Sequence, residues 1–248
     1  MGRAFIGTSG WVYKDWAESF YPQDVKVKDR LGYLASQLDS AEINSSFYRF
    51  PRAENLEKWQ DETPARFRFA IKLSRGITHY RKLRNCRQLT VNFLEIADAL
   101  RVDRRGPLLI QLPKNQRKDL EKLEAFLDEL KDVAESTWRV AFEFRHESWL
   151  DDEVRGLLDR RKVALVVHDM KAQAPVDEPN DAPFVYVRRH GPTDEKYKGS
   201  YSEAELKGDA ERVRRWMRGD RWVWVYFNND VAGAGAQNAR RLKELVEA

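Results

Sequence analysis

The sequence predicts an α/β fold closed into a single (β/α)8 barrel of the TIM type, and three observations carry that expectation. Short β-rich runs alternate with amphipathic or polar stretches from one end to the other, as parallel strands joined by crossover helices require. Eight such runs fit in 248 residues, and a barrel of this type takes about 250. The competing architecture, an open doubly wound sheet, would show a Gly-x-Gly-x-x-Gly turn after the first strand, and none is there. No linker, low-complexity tract or strong internal repeat divides the chain, so residues 1–248 read as one domain.

Strands are expected at Arg3–Gly7, Ser40–Asn44, Arg66–Lys72, Pro107–Leu112, Arg139–Phe144, Val163–His168, Phe184–His190 and Trp222–Asn228. Helices are expected between most of them, over Lys28–Leu38, Ala53–Asp61, Gln88–Arg101, Lys118–Glu135, Trp149–Arg160, Glu203–Met217 and Ala234–Val246. The clearest helix spaces Leu120, Leu123, Leu127, Leu130 and Ala134 by three or four residues, which leaves one apolar stripe to cover the sheet. Ser202, three residues before Glu205, forms a capping box that starts the next-to-last helix. The stretch Asp169–Pro183 holds three prolines and no apolar stripe, so a loop should replace the sixth crossover helix.

With 42% hydrophobic residues, eight Trp and twelve Phe, the chain can bury a large core, and its 34% charged content then reads as solvated surface. No apolar run approaches the ~20 residues that span a bilayer, and no signal-peptide core follows Met1, so a cytoplasmic protein without a membrane partner is expected. A lone Cys86 excludes an internal disulfide and a thiolate metal cluster. The net charge of +4 is a mild excess. Three basic clusters, at Arg81–Arg87, Arg101–Arg105 and Arg212–Arg218, read as solvated faces.

Gly7-Thr8-Ser9-Gly10-Trp11, followed by Trp16 and Phe20-Tyr21-Pro22, resembles the YecE-like family, known as domain of unknown function 72. Further segments carry the same resemblance in the same order: Glu42–Tyr48, Phe67–Lys72, Gln111-Leu112-Pro113, Glu143-Phe144-Arg145-His146 with Trp149, Val187–Gly191 and Tyr226–Asp230. The resemblance implies a barrel of this type. It implies no catalytic residue, and a shared barrel does not fix chemistry.

A site is therefore sought from strand alternation, since residues two apart share a face and active sites of this fold lie at the C-terminal strand ends. In phase near those ends are Glu42, Asn44, Lys72, Gln111, Glu143, Arg145, Arg188, His190 and Asn228, while Ile43, Ile71, Phe144 and Phe227 fall on the opposite, apolar face. Glu143 is the candidate base or charge stabiliser and His190 its acid/base partner; the others are candidate ligand-binding residues. A purely structural network, in which Glu143 neutralises Arg145 or Lys72, is the alternative. Lys72, Arg145 and Arg188 outnumber Glu42 and Glu143, which favours an anionic ligand. The turn Asp230–Gly235 has the glycines of a phosphate-binding loop or of a simple turn. Trp11, Tyr13, Phe47, Tyr48 and Trp149 would roof the barrel or stack on a ligand. Glu143, His168, Asp169 and His190 are the residues a metal would use, but no tight ligand motif joins them, and the sequence leaves the cofactor unknown.

These features point first to an enzyme acting by acid–base chemistry on a small or sugar-like anionic substrate. The alternatives are a nucleic-acid-binding or phosphodiester-processing protein and a noncatalytic small-ligand binder. Composition leaves the oligomeric state open.

Overall fold

A computed structural model describes residues 2–17, 19–133, 137–195 and 197–248. Its parallel strands are β1 (Arg3–Ser9), β2 (Ser40–Ile43), β3 (Arg68–Lys72), β4 (Arg105–Gln111), β5 (Val140–Glu143), β6 (Ala164–Leu165), β7 (Val167–His168), β8 (Phe184–Arg189) and β9 (Trp222–Phe227). Among the described residues, seven α-helices pack outside them: α1 (Arg30–Gln37), α2 (Ala53–Asp61), α3 (Arg87–Ala97), α4 (Leu120–Val133), α5 (Asp152–Arg160), α6 (Glu203–Met217) and α7 (Ala234–Glu247). Ala134 and Glu135, expected at the end of α4, lie outside the described residues. Among the described residues, no helix is long and apolar enough to cross a membrane.

The sheet order is β6-β5-β4-β3-β2-β1-β9-β8-β7. Its outermost strands are consecutive pieces of one segment, parted only by Val166, so the chain itself brings the sheet round into a nearly closed barrel. The single sixth strand expected at Val163–His168 is thus two short strands. Its first half pairs with β5, and Val166 N still reaches Phe142 O at 2.9 Å, whereas Val167 and His168 pair with β8.

The loop expected after this segment is present, for residues 169–183 contain no helix. Val176 returns to exchange two backbone hydrogen bonds of 3.0 Å with His168. Asn180 then accepts from Leu165 N at 2.7 Å and donates to Asp159. These bonds fix the loop without the apolar stripe that a helix would need.

Alternation divides the buried residues into two cores. Ile43, Phe67, Phe69, Ile71, Phe142 and Phe144 face the helices. Inside the barrel are Phe5, Ala70, Leu109, Ala141, Phe184, Tyr186, Trp224 and Tyr226. Gly7 belongs to the crowded seam between β1 and β2, where a Cβ would lie 1.9 Å from Ser40 O, so only glycine allows the two strands to pair there.

Candidate functional site

Along β8 the inward residues run from Phe184 through Tyr186 to Arg188, so the barrel interior changes from aromatic to charged as it approaches the C-terminal strand ends. Arg188 is 1% exposed, and Glu42 and Glu143, both at 0%, hold it from two sides. Its Nε and Nη2 donate to the two oxygens of Glu42 at 3.0 and 2.7 Å, and its Nη1 donates to Glu143 Oε2 at 2.8 Å. Tyr186 Oη donates to Glu42 Oε2 at 2.7 Å. Glu143 Oε1 pairs with Arg145, whose Nη2 also lies 3.1 Å from His190 Nε2. Asn228 Nδ2 stands 3.1 Å from the other ring nitrogen of His190.

Burial alone would oppose ionising Glu42, but Arg188, Lys72 and the Tyr186 hydroxyl outweigh it and hold its carboxyl below the ordinary value. Burial likewise opposes the charge on Arg188, and Glu42 reverses the balance upward. For His190, burial and the cations Arg145 and Arg188 act together, so its pKa falls well below the ordinary histidine range. His168 accepts the same fate: burial, then Arg145, lowers it to about 3. Both rings are neutral at neutral pH.

Lys72 has a different environment. It is 6% exposed and its Nζ donates to the neutral amide oxygen Gln111 Oε1 at 2.8 Å, with the Phe47 ring centroid 4.2 Å away. No carboxylate among the described residues forms an ion pair with it. Burial first, then Arg188 and Arg145, lowers its pKa well below the usual lysine value, although Glu42 pulls the other way.

Lys72 borders a cavity of about 610 Å³. Asn44, Arg188 and Asn228 share the floor with it, and Trp11, Tyr13, Tyr48 and Trp59 form aromatic walls. Asp230 is also on the wall, and burial, reinforced by Asp15, raises its pKa above the ordinary aspartate value. The Tyr13 hydroxyl, next to Asp230, donates to Ser9 O.

Of the nine residues selected by alternation, Asn44, Lys72, Arg188 and Asn228 border this cavity. Glu42, Glu143 and Arg145 do not border it: Arg188 links Glu42 to Glu143, and Glu143 pairs directly with Arg145. Gln111 supports Lys72, and His190 lines a smaller cavity of about 280 Å³ with Asp169. Sequence reasoning gave Asp230 no acid/base role and did not select Trp59. Asp230 was visible only as the first residue of a glycine-containing turn, and Trp59 sits on α2, where strand phase says nothing.

The sequence profile described as "Protein of unknown function DUF72" matches residues 5–248. The chain belongs to the DUF72 family. The UPF0759 protein YunF of Bacillus subtilis (strain 168) is 23% identical over 98% of this chain and 94% of its own. The UPF0759 protein YecE of Escherichia coli (strain K12) is 30% identical, over 51% of this chain and 44% of its own. A crystal structure of a DUF72 family protein from Thermotoga maritima MSB8 superposes with a TM-score of 0.85 at 26% identity, covering 99% of this chain and 100% of that one.

Two features of this DUF72 barrel, Trp149 and the pair Arg104 and Arg105, depart from the sequence reading, while the turn after β9 follows its simple-turn alternative. Trp149 does not wall the cavity: it stacks on Phe144 with ring centroids 4.7 Å apart, on the helix side, and donates to Gln116 O. The turn after β9 uses its donors internally, with Ala232 N on Asp15 Oδ2 at 2.6 Å and Gly235 N on Asn229 O at 2.8 Å. Arg104 and Arg105 are buried rather than solvated, because their guanidinium groups satisfy carbonyl oxygens of Phe67 and Leu100. The residues weighed for a metal diverge: His168 Nε2 lies 3.2 Å from Phe144 O, while Asp169 accepts from His190 N and Tyr201 Oη. Among the described residues, no group of three or more His, Cys, Asp or Glu has a metal-binding arrangement.

Proposed function

We propose that the barrel mouth is an active site for acid–base chemistry on a small anionic substrate that carries an apolar or ring portion. The observation behind this reading is Lys72: a cation at the floor of the cavity that, among the described residues, has no carboxylate in ion-pair contact, beneath aromatic walls. A buried charge is costly unless something compensates it, and an anionic ligand would do so here. The aromatic faces of Trp11 and Trp59 suit a planar or ring portion.

Roles follow from position. Glu143 serves as a charge stabiliser, since it is wholly buried and taken up by Arg145 and Arg188. Asp230, on the wall and shifted toward the protonated form, is the acid/base group that can meet a substrate. His190 acts through Asn228, its hydrogen-bonded neighbour on the cavity floor. In this reading residues 1–248 work as one barrel domain in the cytoplasm, where the buried Cys86 stays a thiol.

Nucleic acid is the weaker reading, because the basic clusters are largely spent on the protein itself. Arg104 and Arg105 hold carbonyl oxygens, while Arg215 pairs with Glu178 and Arg214 with Leu245 O.

Titration calorimetry with 3-phenyllactate and its neutral methyl ester tests the proposal. The acid should bind about tenfold or more tightly than the ester, a difference of roughly 1.4 kcal/mol, and Lys72→Met should remove that preference. Equal affinity for acid and ester, or a preference that survives Lys72→Met, would count against it.

A further inference from the structure

Arg188 and Lys72 share one floor, but only Lys72 is bonded in a way that leaves a nucleophile. A carboxylate partner fixes an ammonium ion in its protonated form. A neutral amide does not. Gln111 Oε1 takes a single N–H of Lys72 at 2.8 Å, and in the neutral amine the nitrogen lone pair stays outside that bond. Phe47 packs its ring against the same nitrogen, and the cations Arg145 and Arg188 act on it from below. A buried amine beside other cations is an arrangement that activates lysine toward carbonyl carbon.

Resting on the anionic-substrate reading above, we infer that Lys72 is a covalent catalytic residue that forms an imine with the carbonyl group of an anionic aldehyde or ketone, such as an α-keto acid. The lowered pKa of Lys72 supports this, because each unit of lowering raises the neutral amine fraction about tenfold at a given pH.

The step balances within the site. Lys72 Nζ adds to the carbonyl carbon, the C–N bond forms, and one amine proton passes to the former carbonyl oxygen. Protonated Asp230 then gives its proton to that hydroxyl, the C–O bond breaks, and water leaves. The products are a protonated imine on Lys72 and the Asp230 carboxylate. Asp230 borders the same cavity and has its pKa raised by burial, which fits a proton donor in this step. The new iminium charge keeps the attraction for the substrate's carboxylate, so the covalent bond does not discharge the floor.

Phenylpyruvate with sodium borohydride tests the inference in the whole chain, followed by intact mass and peptide mapping. The expected result is one reduced adduct, mapped to Lys72, formed near neutral pH where exposed lysines react about tenfold or more slowly. Phenyllactate, which has the carboxylate and no carbonyl, should compete with it and form no adduct. Gln111→Glu places a carboxylate against Nζ in the same volume, so labelling should persist but move to higher pH. That variant separates a reactive amine from a merely buried one. Phenyllactate binding that depends on Lys72 without any adduct there would overturn the imine and leave the anionic site standing. Absence of both would overturn both, and an adduct spread over exposed lysines would also refute the inference.

Discussion

The two cations at the mouth of this barrel are both buried, yet the chain compensates them in opposite ways. Arg188 spreads five donors over a fixed plane, and the structure gives it Glu42 on one side and Glu143 on the other. Lys72, one point charge on a flexible stem, receives a neutral amide and an aromatic face. The first arrangement is closed: its charges are matched inside the protein. The second is open, because its match must come from the cavity or from losing the proton. On the proposed reading one barrel mouth holds a structural region and a binding region, and charge compensation distinguishes them better than burial does.

The largest expected effect comes from opening the closed region. Glu42→Gln keeps the volume and removes the charge that faces Arg188 Nε and Nη2, leaving a buried guanidinium with Glu143 shared between two arginines. Breaking one side of a buried ion pair costs about 3–5 kcal/mol. Urea denaturation should show that loss in midpoint. A change below about 1 kcal/mol would mean that the Arg188 network carries little of the fold.

An intermediate effect should appear with pH at His168, the register neighbour of Arg188 on the adjoining strand. Its folded pKa of about 3 lies below the unfolded value of about 6.5. Between those values the unfolded chain binds the proton and the folded chain does not. The contribution to stability is therefore complete above about pH 6.5 and is lost progressively as the pH falls toward 3, with a slope of up to about 1.4 kcal/mol per pH unit. His168→Gln should flatten that part of the stability profile, measured by denaturant midpoints from pH 7 to 4. Parallel profiles for the two proteins would remove His168 from the account.

How much of this was legible without coordinates depends on what each residue answers to. Strand alternation separates Glu42, Glu143 and Arg188 from Ile43, Phe144 and Phe227, and the inner and outer cores follow the same phase. The broken sixth strand was not legible, because the choice of pairing partner at Val166 is made by neighbours distant in sequence. In the site, alternation selects residues that share a face but says nothing of depth. Glu143 and Asn228 satisfy the same rule, yet Glu143 is wholly buried and Asn228 borders the cavity. Asp230 lies past the end of β9, where the period-two rule stops, and it is burial, with Asp15 adding to it, that gives its carboxyl a distinctive environment.

The smallest expected effect on stability is at Lys72, and it sharpens the comparison most. Lys72→Met removes a buried cation that forms no ion pair among the described residues, and Glu42, which Lys72 helps to keep ionised, retains Arg188 and the Tyr186 hydroxyl. The variant loses one hydrogen bond to Gln111, worth about 1 kcal/mol, and Gln111 is only partly buried, so water can replace the lost donor. Against that loss it ends the repulsion between Lys72 and Arg188, and a thioether contact of about 0.3–1.5 kcal/mol replaces the ammonium's own contact with the Phe47 ring, worth about 0.5–2 kcal/mol. These terms nearly cancel, and the denaturation midpoint should move by less than the equivalent of about 1 kcal/mol in either direction. A loss as large as that of Glu42→Gln would show that Lys72 is matched inside the protein after all, and the division of the mouth into a closed and an open region would fail.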